Sequence, residues 1–211
     1  MNKHSSKQAV HIFWDNSNIF IPAKEVAADR EGLAASKEIR IHFDNLYQLA
    51  RANRPVVKSL CVGSVPPGMD GVWNRLRESG VAVELFERGE GSGEEQGVDQ
   101  CLQVHMLRAL ADSEAPGVVV LLTGDGAGYE SGVGFHADLE RMYRKGWGVE
   151  VLSWKHACNK RLKAWAQDKG MFIALDDYFE ECTFRQGIRL AKRIAFTHRG
   201  RAMPQGLKEE Q

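Results

Sequence analysis

Cysteine is scarce in this chain. Its four cysteines, Cys61, Cys101, Cys158 and Cys182, form no CxxC pair and match no zinc spacing. That excludes a disulfide scaffold and a zinc-finger module. Cys61 and Cys101 sit in apolar runs and read as structural thiols. Free thiols suit a reducing cytoplasm. Charge of either sign is not in excess: 28 basic residues meet 28 acidic ones. Bulk attraction to a polyanion is therefore excluded, and any nucleic-acid surface has to be local. No apolar run approaches the ~20 residues of a membrane span. Residues 1–8 are polar and lack the apolar core of a signal peptide. There is no internal repeat, no GxxxxGK[ST] phosphate loop and no GxGxxG fingerprint. No serine stands on a nucleophile elbow, so a Ser-His-Asp hydrolase is excluded as well.

What is present is alternation of short apolar runs with helical segments. Strands are expected at 9–14, 56–62, 81–86, 118–122, 148–154 and 171–175. Helices are expected at 39–52, 70–79 (after Pro66-Pro67-Gly68), 98–111, 135–145 and 157–168, with a turn or helix at 176–179. Residues 87–97 are polar and glycine-rich and read as a mobile loop. The run Val118–Leu122 reads as a central strand, since strands buried on both faces lose alternation. This order predicts an α/β fold with a parallel sheet between two helical layers. The body is expected over 9–180. Residues 181–211 are expected to form a basic helix and tail, because arginines recur among apolar residues from Arg185 to Arg201. That tail is either a solvated packing helix or a contact for phosphate backbone.

Two of the strand-like runs stop abruptly on a carboxylate. Val10–Trp14 ends on Asp15-Asn16-Ser17-Asn18, and Val118–Leu122 ends on Thr123-Gly124-Asp125-Gly126. Between them Gly97-Val98-Asp99 opens a helix. Loops at the carboxyl ends of parallel strands share one rim, where ligands bind. Three acids on one rim need a cation or a shared proton, and a hard divalent cation takes such oxygen donors. Each acid also has an ordinary reading: Asp15 and Asp125 as turn formers or caps, Asp99 as a partner of the helix dipole. Glu130 and Asp138 are further acids near the rim. Asn18 and Thr123 are neutral groups able to orient a ligand. Lys155, Lys160 and Arg161 follow the strand ending at Trp154 and could steer a phosphate strand. Trp14 and Trp154 could stack on bases, though burial is their commoner fate. His11 reads as packed; His136 could approach the site.

In order and spacing, Phe13-Trp14-Asp15-Asn16-Ser17-Asn18, Gly97-Val98-Asp99 and Leu121-Leu122-Thr123-Gly124-Asp125-Gly126 resemble the NYN domain of the PIN-like nuclease superfamily over residues 9–175. The resemblance implies a three-layer α/β/α Rossmann-like sandwich with a mostly parallel central sheet. It implies a Mg2+- or Mn2+-dependent endoribonuclease, with Asp15, Asp99 and Asp125 as metal ligands and Asn16 beside Asp15. It implies RNA, single-stranded, as the partner, with no membrane; a homodimer is compatible with it. The family often carries a second Asp two residues after the Asp of its Thr-Gly-Asp turn. Here that position is Ala127, so Glu130 or Asp138 is expected to fill the role. The alternative is an RNA-binding or adaptor module that kept the fold and lost turnover. A phosphohydrolase of the aspartyl-phosphate type is disfavoured, because it needs Asp-x-Asp and Ser17 occupies the second position.

Overall fold

A computed structural model describes residues 9–64, 70–86, 97–193 and 200–205. Six strands form one parallel sheet: β1 (Val10–Asp15), β3 (Val56–Ser64), β4 (Ala82–Phe86), β5 (Val118–Leu122), β6 (Gly148–Ser153) and β7 (Met171–Ala174). Their order is β4-β3-β1-β5-β6-β7. The chain builds outward from β1 through β3 to β4, then returns to the other flank of β1 with β5. The strand order therefore reverses between β1 and β5, and this is where an open parallel sheet leaves a crevice. β1, β5 and β6 are buried along their whole length, as expected of strands covered on both faces.

Alternation along β1 separates the two cores. Val10, Ile12 and Trp14 face one cluster, built with α1 (Asn16–Glu31), α3 (Phe43–Arg51), α4 (Asp70–Glu78) and α8 (Phe179–Cys182). Phe13 faces the other, built with α5 (Val98–Asp112), α6 (Gly134–Arg144) and α7 (Lys160–Lys169). Helix α5 buries Val98, Leu102, Met106 and Ala109 on one stripe. The three-layer sandwich expected from the sequence is the observed one. Among the described residues, no helix is long and apolar enough to cross a membrane.

Several local expectations are corrected. Helix α1 runs sixteen residues from Asn16, in a stretch where no helix was expected, and carries Pro22 inside it. Residues 39–52 are not one helix: Ile39–Ile41 form β2, with helix α3 starting after His42. β2 pairs antiparallel with β8 (Thr183–Arg185), and a short α2 (Ala35–Glu38) precedes it. The expected basic tail helix is absent among the described residues. Arg185 instead lies in β8 and pairs with Glu31 and Glu38; Arg189 pairs with Glu31. Arg201 reaches Glu150 of β6, which Arg54 also holds through two nitrogens at 2.8 and 2.9 Å. These arginines face acids of the body. Residues 87–96 of the expected mobile loop, 66–68 and 194–199 lie outside the described residues.

Candidate active site

Asp15 is the last residue of β1 and the N-cap of α1. Its Oδ1 accepts the Asn18 backbone N–H at 3.1 Å, and its Oδ2 accepts the Asn18 side-chain amide at 2.5 Å. Both carboxylate oxygens are thus oriented by one residue three positions on. The side chain is buried at 2% exposure. Alternation places it on the side of Phe13, the side that α5 and α6 cover. Next to it, Asn16 Oδ1 is buried without a hydrogen-bond partner.

Asp99 lies in the first turn of α5. Gly97 caps this helix with φ +94°, and a Cβ there would stand 3.1 Å from the Phe86 ring at the carboxyl end of β4. That contact puts the start of α5 at the carboxyl rim of the sheet. Gln103, one turn on, donates to the Asp99 carbonyl at 3.3 Å and accepts the Gly134 N–H at 3.0 Å. It ties the start of α5 to the start of α6.

Asp125 follows β5 in a tight loop. Its N–H donates to Thr123 Oγ1 at 3.2 Å, and its Oδ1 accepts the Ala127 N–H at 2.9 Å. The loop is pressed onto the start of α7: the Asn159 N–H donates to the Gly124 carbonyl at 2.8 Å. A Cβ at Gly126 would stand 2.5 Å from the Asn159 side chain. Beside this loop an open cleft of about 540 Å³ is lined by Gly126, Tyr129, Asn159, Lys160 and Arg161, among others.

Asp15 and Asp125 thus stand at the ends of neighbouring strands β1 and β5, between which the strand order reverses, and Asp99 stands at the head of α5 on the same carboxyl rim. They do not close into a compact ligand set. Among the described residues, one group of three has its ligand atoms all within 4.8 Å of one another: Glu84, Cys101 and His105. The oxygen-only chemistry of the rim still fits a hard cation. Mg2+ takes one or two carboxylates and keeps several waters, and the orphaned Asn16 oxygen is a neutral donor of the right kind.

The remaining residues separate. Glu130 is turned outward and bonded to Arg161 at 2.5 Å. Asp138 is buried in α6; its Oδ1 accepts from Arg141 at 2.8 Å, while Oδ2 is buried without a partner. Burial pushes its carboxyl above the usual range against the opposing pull of Arg141. Thr123 is buried and holds the Asp125 turn. Lys155 pairs with Asp177 at 2.5 Å, and its N–H donates to Asp176. Trp14 and Trp154 do not offer faces for stacking: both are fully buried, and Trp154 donates to the Ile19 carbonyl at 2.8 Å. His11 packs edge-on to Trp147; burial, then Lys58, lowers its pKa to about 4. His136 stacks on Tyr129 with ring centroids 4.0 Å apart.

Two supporting residues escaped the sequence reading. Asn159 accepts the N–H groups of Arg161 and Leu162 as the N-cap of α7, and an Asn before a helical run is a readable cap signal. Gln103 carries no such signal, since its partner Gly134 is 31 residues away. The family model of the NYN domain matches residues 9–174. Among curated proteins, no match was found.

Proposed function

The chain belongs to the NYN domain family, a nuclease-like, RNA-processing fold, and on that premise we propose that it is a metal-dependent ribonuclease acting on single-stranded RNA. One observation carries the reading: Asp15 and Asp125 end the neighbouring strands β1 and β5, between which the strand order of the sheet reverses, and Asp99 heads α5 on the same carboxyl rim. In this reading Asp15, Asp99 and Asp125 hold a Mg2+ or Mn2+ ion, with Asn16 beside them. When bound, such an ion would supply charge neutralisation for the phosphodiester and a nucleophile near neutral pH. Asn18 fixes the orientation of Asp15, as groups behind a ligand do. Thr123 fixes the turn that presents Asp125. For the place left by Ala127, Asp138 is the better candidate. Its Oδ2 is buried and unpartnered, whereas Glu130 already faces Arg161. Lys160 lines the cleft next to Asp125 and suits the phosphates of an RNA strand, a contact that positions without reading sequence, and Arg161 beside it would have to exchange Glu130 for a phosphate.

Labelled single-stranded RNA incubated with Mn2+ tests the proposal. Cleavage by the parent chain is expected to stop with EDTA. Asp125→Asn should lower it by at least ~100-fold, because a direct ligand should matter no less than the groups behind one. Equal and EDTA-insensitive cleavage by parent and variant would defeat it. A second reading, RNA binding without turnover, is favoured by Ala127 and by the open spacing of the three acids. It predicts RNA retention in a filter assay with no cleavage in either metal.

A further inference from the structure

Just below the rim, between the outermost strand of the sheet and α5, three unlike side chains meet. Cys101 and His105 stand one helical turn apart on α5 and so project from the same face. Glu84, on β4, lies opposite both. Its Oε2 accepts the Cys101 Sγ–H at 3.0 Å, and its Oε1 is 2.9 Å from His105 Nε2. All three ligand atoms lie within 4.8 Å of one another. A fourth group, Lys58 of β3, stands 2.7 Å from His105 Nδ1. None of the three is sealed in the core: Cys101 is half-buried, and the side chains of His105 and Glu84 are 18% and 45% exposed.

We propose that Glu84, Cys101 and His105 form a second metal site, selective for a borderline-soft ion such as Zn2+, with water or an incoming ligand in the fourth position. The donor set decides the class. One thiolate, one imidazole and one carboxylate are the ligands Zn2+ takes in tetrahedral sites, and three protein ligands leave one position open. Thiolate and imidazole select against Mg2+, which the oxygen-only rim suits. Geometry supports it too. The pair on one helix turn needs no backbone movement to chelate, and Glu84 is already within hydrogen-bond distance of both.

The contacts set what an ion has to replace. The Lys58 ammonium donates to Nδ1, so His105 carries its proton on Nε2 and donates to Glu84. An entering dication replaces two hydrogen bonds. The Cys101 thiol proton leaves to solvent, and the His105 proton moves from Nε2 to Nδ1 as Lys58 turns away. Thiolate and carboxylate then match the charge of the ion. Lys58 competes with the metal throughout.

Titration of the reduced full chain with Co2+, a spectroscopic stand-in for zinc, is the test. One equivalent should produce a thiolate-to-cobalt charge-transfer band. Equimolar Zn2+ should remove that band and excess Mg2+ should not, following the affinity order of these ions. Asp125→Asn should keep the band, which separates this site from the rim whatever the outcome there. Cys101→Ser should weaken binding by at least ~100-fold. His105→Gln repeats the test should the serine variant unfold. No band in the parent, a band of parent strength in either ligand variant, or displacement by Mg2+ would overturn the proposal.

Discussion

On the proposed reading Asp15 has two duties, and substitutions can separate them. It caps α1 through Oδ1 and is the first acid of the rim. Asparagine caps a helix about as well as aspartate, whereas alanine costs about 1 kcal/mol. Asp15→Asn should therefore keep the parent's urea midpoint and lose metal-dependent cleavage. Asp15→Ala should lose both. If Asp15→Asn cleaves as the parent does, Asp15 is a cap and nothing more. The places of Asp15 and Asp125 in the fold were legible because each motif joins a chemical signal to a structural one: a carboxylate at the end of an apolar run. The partner of Cys101 was not legible, for the opposite reason. Its neighbours in sequence are apolar on one side, yet its thiol meets Glu84, 17 residues away on another element. Long-range pairs of that kind leave no local trace.

Among the elements, the parallel strands and the helices over one face were readable, since their burial writes a plain pattern: five consecutive apolar residues in β5, a stripe of spacing 4, 4 and 3 in α5. Helix α1 was not. Its start is Asn-Ser-Asn, a turn-forming string, and Pro22 breaks the usual helical signature. Nor was β2, three residues long, whose partner β8 lies more than 140 residues on. The tail looked like a basic helix because its arginines face acids on the body, Glu31 and Glu38, and these are invisible as partners in one dimension. The loop after β5 yields a sharp prediction. Gly134 has φ +86°, and a Cβ there would stand 2.0 Å from the Ala127 carbonyl oxygen. Gly134→Ala should cost at least ~1 kcal/mol in urea unfolding and should lower RNA cleavage by displacing the Asp125 turn. Unchanged stability would mean the loop closes by another path.

The whole molecule is held by a buried charge cluster as well as by its two cores. Burial pushes the Glu150 carboxyl up, but the Arg201 hydrogen bond and the charges of Arg54 and Arg201 outweigh it and hold it below the usual range. Glu150→Gln leaves two guanidinium groups without their counter-charge and should cost about 3–5 kcal/mol, read as a lower urea midpoint. Because its folded pKa is depressed, the contribution of Glu150 is complete above the ordinary carboxylate value and is lost as pH falls through the folded one. His11 acts in a different window. Its pKa drops from 6.5 to about 4 on folding, so the unfolded chain binds the proton first and stability should fall between those pH values. His136, also held low by burial, adds in the same direction. His11→Gln should flatten that part of the stability profile; an unchanged slope would assign it to other groups.

The position of β1 has one more consequence. The first strand made is the middle of the finished sheet, and its second neighbour is encoded about a hundred residues later. During synthesis the rim is therefore open on one side until β5 zips into place and carries Asp125 up to Asp15. On the proposed reading, a chain still short of β5 lacks Asp125 beside Asp15 and cannot assemble the metal site.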